Sequence, residues 1–311
     1  MALKPMGGLS LKCLVSKEIS VSYYRILGFE KEPFSTSPDP EFLYLAQGHQ
    51  ATMTNVLIEL RLRRGLSVVL GDVGTGKTTL SRKLIQALKE RGDFIVHYVL
   101  DPCFETEYEF LYSLVRNFSI NMDSYGGAGP EGGRASVLDL KEAVEKFLYE
   151  KTVIGNKTVV LIVDEAQKLS DSAMEMLRTI LNYETNDTKL LQLVLFGQLE
   201  LHSKITKIPN FMDRISFKYT LNPLSLSETR EMIQFRIRQA NYCSNARLFQ
   251  EDALEMIHKI SHGYPRKITM LCHRALKQLV MKRKWAVDEE VVGEIVSEDM
   301  RAGWLTPTTH H

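Results

Sequence analysis

Gly71, Gly74, Gly76, Lys77 and Thr78 are the residues of this chain whose types and spacing most directly specify chemistry. They stand in the string Leu66-Ser-Val-Val-Leu-Gly-Asp-Val-Gly-Thr-Gly-Lys-Thr-Thr-Leu80, which matches Gly-x-x-x-x-Gly-Lys-[Ser/Thr] at every fixed position. The apolar run Val68-Val69-Leu70 ahead of it reads as a buried strand. The pattern from Leu80 to Leu88 behind it reads as a helix, so the string has the strand–loop–helix setting that a P-loop requires. Glycines let backbone N–H groups curl round phosphate oxygens that side chains would keep away. The start of the following helix adds partial positive charge. Lys77 then reaches β- and γ-phosphates, and the Thr78 hydroxyl is a ligand for Mg²⁺. Asp72, Val73, Thr75 and Thr79 complete the candidate nucleotide-binding set. A plain glycine turn between a core strand and a helix is the bland alternative, and the complete match in the right setting sets it aside.

A second signature follows at Thr158-Val-Val-Leu-Ile-Val-Asp164-Glu165, an apolar strand ending in two acids. Asp164 at the strand's carboxyl end can hold the Mg²⁺ shell, and Glu165 can polarise an attacking water. Alone, such a strand end is an ordinary surface transition; after a P-loop it reads as the Walker B partner. The strand Leu190 to Phe196 ends in Gly197-Gln198, where a polar side chain can sense a γ-phosphate. The alternative for Gln198 is a surface glutamine.

These residues need strands to carry them. Strand readings at 68–70, 94–100, 158–163, 190–196 and 213–221 alternate with helical patterns, which predicts an α/β fold with a five-stranded parallel sheet covered on both faces. The spacing of Leu45, Met53, Val56, Leu57 and Leu60 predicts a helix over 42–64 stopped by Gly65. Before it, three prolines in Pro33-Phe-Ser-Thr-Ser-Pro-Asp-Pro40 make an extended segment that either walls an adenine pocket or simply packs. Residues 1–22 read as a flexible arm, 23–222 as the nucleotide-binding core, 223–303 as a small all-helical domain with Ser227 capping its first helix, and 304–311 as a tail. The stretch 123–134 is rich in glycine but lacks a preceding strand and a following lysine, so it reads as a flexible loop.

Composition sets broad bounds. The chain has 311 residues, 44% apolar and 25% charged, with net charge +1. That is a globular profile with material for a large core and no global field committing it to nucleic acid or membrane. Cys13, Cys103, Cys243 and Cys272 lack metal or disulfide spacing and read as free thiols of a reducing compartment. No signal sequence or membrane span is apparent, so the expected location is the cytoplasm, with the inner face of the membrane as a place to act. His310-His311 reads either as native or as the stub of a tag.

Together these motifs resemble the AAA+ ATPases of the ExeA/GspA type, linked to general secretion and pilus assembly, with the MSHA-biogenesis (MshM-like) ATPases as a related group. The resemblance runs from about Tyr23 to Val280. It rests on Phe29-x-x-x-Pro-Phe-Ser-x-x-Pro-Asp-Pro-x-Phe-Leu-Tyr44, the P-loop, Val163-Asp-Glu-Ala-Gln167, Lys189 to Gln198, Pro223-Leu224 and Gly263-x-Pro-Arg-x-Ile268. It implies a P-loop AAA+ core with a helical lid, ATP and Mg²⁺ as cofactors, and self-association into a ring or filament. It also implies Gln198 as sensor 1, Arg266 as sensor 2 in the lid, and Arg214 as a finger entering a neighbour's site. Secretion members carry a membrane span and a wall-binding domain after the ATPase, which do not appear by His311, and residues 1–22 fall outside the family pattern. The transposition regulators TnsC, TniB and MuB share the core and form filaments on DNA; they are the alternative. The loop Asp101 to Glu109 carries four acids and no base, which repels a phosphate backbone, while Phe104 and Tyr108 offer grip to a protein. Against that stand twelve Lys or Arg and five Asp or Glu between 224 and 286, with Arg274, Lys277, Lys282, Arg283 and Lys284 on one helix. Protein partners are therefore read ahead of DNA.

Overall fold

A strand buried on both faces reads as an unbroken apolar run, and three runs of this chain do so. In a computed structural model, residues 22–37, 39–122, 135–186, 188–244 and 246–303 are described. The expected arm up to Val21, the glycine-rich loop 123–134 and the tail 304–311 lie outside the described residues. Strands β1 (Leu66–Gly71), β3 (Thr158–Val163) and β4 (Leu191–Gly197) are buried along their whole length. Strands β2 (Phe94–Val99) and β5 (Ile215–Leu221) are partly exposed. All pairings are parallel in the order β2-β3-β4-β1-β5, which puts the half-covered strands at the edges.

Because strand side chains alternate, the sheet feeds two separate cores. Leu66, Val68, Leu161, Val163, Leu193 and Leu195 pack on the face covered by α4 (Glu107–Asn117), α5 (Val137–Tyr149) and α6 (Asp171–Ile180). Val69, Val160, Ile162, Val194 and Phe196 pack on the face covered by α2 (Gln47–Arg61) and α3 (Lys77–Lys89). Helix α2 begins at Gln47 and not at Phe42, because Pro40–Phe42 forms its own 3₁₀ turn, capped by the Asp39 side chain. A short helix, α7 (Glu200–Thr206), links β4 to β5.

Beyond β5 come α8 (Leu226–Gln239), α9 (Glu251–Ser261), α10 (Pro265–Lys282) and α11 (Glu289–Arg301), the helical lid. Helix α8 is capped by Ser225, not Ser227: Glu228 stands three residues after Ser225 and closes a capping box. The lid has its own core, and Phe29, Phe34, Phe42 and Ala46 belong to it together with Met232, Ile233, Leu254 and Leu276. A short helix, α1 (Tyr23–Ile26), contributes Tyr23 and Tyr24 to the same cluster.

The basic face of α10 is largely met by the acids of α11. Arg274 pairs with Glu298 and Asp299, Lys282 with Glu294, and Lys284 with Asp288 and Glu290. Lys277 lies over the Tyr23 ring at 5.9 Å. Partly exposed pairs of this kind contribute only about 0–1 kcal/mol each. Their effect is on the field: of the five cations the sequence placed on one helix, Arg274, Lys282 and Lys284 are paired within the lid, and the helix ends at Lys282, ahead of Arg283 and Lys284. Among the described residues no helix is long and apolar enough to cross a membrane.

Phe34 has no exposed surface and stacks edge-on against Phe249 at 5.9 Å. Phe34→Ala is expected to lower lid stability by about 3–5 kcal/mol, read as a lower denaturation midpoint while β-sheet circular dichroism at low denaturant is retained.

Candidate active site

The P-loop connects the buried carboxyl end of β1 to the first turn of α3, and its bends fall on glycine. Gly74 and Gly76 have φ of +87° and +97°, the left-handed region that a side chain resists. A Cβ at Gly76 would also come within 3.1 Å of the His49 ring, and one at Gly74 within 3.1 Å of the Arg266 side chain. The first-turn N–H groups of α3 point away from any intrahelical acceptor, which makes the loop an anion cradle.

The loop opens on a cleft of about 430 Å³, within the range of roughly 300–1,000 Å³ for small-molecule sites. It is lined by Val73, Gly74, Gly76, Lys77, Thr78 and Thr79 of the loop and first helical turn, and by Glu165 and Gln198 from the ends of β3 and β4. Ser35, Thr36, Ser37, Asp39 and Phe42–Tyr44, on the strap ahead of α2, line it too, with Arg236, Arg266 and Thr269 from the lid. The proline-rich segment thus packs Phe34 and Phe42 into the lid core, and Ser35, Thr36, Ser37, Asp39 and Phe42 line the cleft.

Lys77 is 5% exposed, and its ammonium donates to the carbonyls of Gly71 (2.7 Å) and Asp72 (2.9 Å). Burial lowers its pKa, opposed by Glu165, Asp164 and Asp72. Asp164 has no exposed surface. Its Oδ2 accepts from the Tyr98 hydroxyl (3.0 Å) and the Ser81 hydroxyl (3.4 Å), and its Oδ1 from the Glu165 N–H (3.0 Å). Burial raises the Tyr98 pKa to about 12, so the phenol remains a donor at neutral pH. Glu165 has φ +51°, a strained conformation for a residue with a side chain. Its Oε2 accepts from the Gln167 amide at 2.7 Å, with the Gln198 amide at 3.5 Å. Gln167 in turn accepts from the Gln198 N–H at 3.0 Å, so the three residues form one unit.

The lid touches the P-loop directly. The Arg266 N–H donates to the Gly74 carbonyl (3.2 Å) and the Tyr264 hydroxyl to Asp72 (2.8 Å). Arg214 is elsewhere. It precedes β5 at the strand's amino end, where Ile215 pairs with Leu66, so the length of the sheet separates it from its own P-loop. Its Nε is buried with no hydrogen-bond partner among the described residues, in a depression shared with Arg63, Arg64 and Asp213.

Tyr98, Ser81, Tyr264 and His49 were not singled out by the sequence, because nothing local marks a residue whose role is to hold another. Gln167 was quoted only as part of a string. The His49 Nε2–H donates to the Thr75 carbonyl of the P-loop at 2.9 Å, and the ring is 3% exposed.

Residues 60–205 match the family model described as AAA domain. The chain is 34% identical over 256 residues to general secretion pathway protein A of Aeromonas hydrophila, covering 82% of this chain and 44% of that protein, so it spans less than half of the relative's length. Among solved structures, ORC2 of Aeropyrum pernix superposes with a TM-score of 0.60 at 19% identity, covering 87% of this chain and 72% of that one. A Drosophila ORC structure bound to DNA superposes at 0.63 with 17% identity, covering 96% and 71%. At these identities the structural likeness establishes the fold.

His49 also yields a pH expectation. Burial holds its pKa below the ordinary value, with the Thr75 carbonyl and Glu228 opposing, and burial shifts His97, His258 and His273 the same way. The unfolded chain therefore takes protons, from about pH 6.5 downward, that the folded chain refuses. Stability is expected to be full above about pH 6.5 and to fall on acidification. His49→Gln keeps a donor for Thr75 and should give a shallower fall, read as urea midpoint against pH.

Proposed function

The chain is an AAA+ family member of the general secretion pathway protein A type, and from that premise we propose that it binds MgATP, hydrolyses it to ADP and phosphate, and uses the cycle to drive or regulate assembly of a protein complex. The observation that carries the reading is the convergence on one cleft of the glycine cradle, Lys77, Glu165 and Gln198, with the buried Asp164 bonded to the Glu165 N–H. The donor set fits a magnesium-bound triphosphate: positive-φ glycines, a cationic Lys77, the Thr78 hydroxyl and a buried carboxylate.

Bound Mg²⁺ supplies charge neutralisation and polarisation of the phosphoryl oxygens. Thr78 and Asp164 would hold it, with Tyr98 and Ser81 fixing the carboxylate's orientation. Lys77 exchanges the carbonyls of Gly71 and Asp72 for phosphate oxygens. Glu165 takes the proton of the attacking water, and Gln167 keeps its carboxylate turned toward the cleft. Gln198 offers its amide to the γ-phosphate, and Arg266 approaches the same end from the lid. Arg214, at the far pole of the sheet, acts on the site of a second copy in a ring or filament, where a trans arginine stabilises the charge that develops during transfer.

The relative's name supports secretion or pilus-assembly proteins as clients. DNA binding is the weaker reading, because Arg274, Lys282 and Lys284 are paired with acids of the lid and the loop after β2 is acidic.

Lys77→Ala is expected to abolish binding of a fluorescent ATP analogue. Glu165→Gln should bind it as the wild type does and turn over about 10²–10⁴-fold more slowly; wild-type hydrolysis by the Lys77 variant would remove the ATPase reading. Arg214→Ala should lose about 10³-fold in turnover while retaining nucleotide. Mixing it with Glu165→Gln should restore part of the activity, since some junctions then combine an intact Glu165 with an intact Arg214. Normal turnover by assembled Arg214→Ala protein would end that assignment.

A further inference from the structure

Arg236 is a buried cation that the chemistry above does not use. It sits on α8 of the lid and is 9% exposed, and among the described residues it forms no ion pair. Its guanidinium serves only main-chain carbonyls of the strap. Nε donates to Pro33 at 2.8 Å, Nη2 to Ser35 at 2.9 Å and Nη1 to Phe42 at 3.4 Å. It also lies over the rings of Phe34 and Phe42, at 5.9 and 5.5 Å from their centroids. Burial without a carboxylate is unfavourable enough to lower its pKa to about 10.

A guanidinium is a rigid fork of donors, and three carbonyls converging on one fork fix a peptide segment in a single curve. The segment fixed here lines the same cleft as the phosphate cradle but belongs to a different element. Ser35, Phe42 and Arg236 itself line that cleft, so the curve Arg236 imposes is a surface a nucleoside could meet.

We propose that Arg236 is the positioning residue of the nucleoside subsite: by holding the carbonyls of Pro33, Ser35 and Phe42 it shapes the strap ahead of α2 into the wall that accepts the adenosine moiety, and it ties that wall to the lid. The inference rests on the MgATP reading. Its distinctive consequence is that Arg236 matters for the nucleoside and not for the phosphates, which the P-loop holds on a different element.

The test compares two ligands on Arg236→Met, Arg236→Lys and wild-type protein: ATP, and inorganic tripolyphosphate, which lacks the nucleoside. Wild-type protein should bind ATP more tightly than tripolyphosphate. Arg236→Met should lose about tenfold or more in ATP affinity, about 1.4 kcal/mol, and bind tripolyphosphate within twofold of wild type. Arg236→Lys keeps the charge and fewer donors, and should fall between the two. If Arg236→Met does not fold, the lysine variant decides: a selective loss for ATP upholds the role. ATP affinity unchanged in both variants, or ATP and tripolyphosphate weakened together in the lysine variant, overturns it. Wild-type protein that binds neither ligand overturns the nucleotide reading itself, an outcome distinct from failure of Arg236.

Discussion

A carboxylate with no exposed surface and no ion pair has to be satisfied by hydrogen bonds, and Asp164 imposes that demand on three elements at once. Tyr98 comes from β2, Ser81 from the helix behind the P-loop, and the Glu165 N–H from the chain's own sharp turn. The demand reaches the sheet through register. Tyr98 pairs with Ile162 and Val99 with Val163, which sets the phenol on the same face as Asp164 two residues further on. A slip of one residue would turn Tyr98 to the other face and leave the acid stranded. The left-handed turn at Glu165 follows from the same arrangement, since it brings that residue's N–H onto Oδ1.

Residues proposed to act on a ligand were legible because the proposed chemistry dictates type and spacing. The P-loop, Asp164, Glu165 and Gln198 announced themselves in this way, and so did the strands that bear them. Residues that act on other residues were not legible. His49, Tyr98, Arg236 and Tyr264 reach partners far along the chain, and no local pattern encodes a partner found only by folding. The strap shows the same limit: its aromatics declared that they would be buried but not against what. Two opposite charge runs were visible at 274–284 and 288–299, yet whether they faced a ligand or one another depended on how α10 and α11 cross. Ser225 and Ser227 differed only in where Glu228 stands, a signal that was present and passed over.

Parallel strands give the core a polarity. Every carboxyl end lies on the cleft side and every amino end on the other, so Arg214, just before β5, stands as far from its own cleft as the strand is long. Its Nε is buried there with no hydrogen-bond partner among the described residues, a strand's length from its own P-loop.

The chain passes between core and lid at two places, from Ala46 into Gln47 and from Leu221 to Leu224, and these lie side by side around one depression lined by Ala46, Gln47, Tyr219, Asn222 and Leu224. Two adjacent covalent crossings make a pivot with a single easy axis. Beside the second crossing, where the Leu224 N–H donates to the Gly263 carbonyl, the Tyr264–Asp72 and Arg266–Gly74 hydrogen bonds tie the lid to the P-loop. Hinge and latch therefore sit next to one another, and a lid that turned about its crossings would strain those two bonds first. Because the strap packs in the lid core while its continuation, α2, packs on the sheet, such a turn would bend the chain at Ala46. That bend lies three residues ahead of His49, the side chain that braces the P-loop.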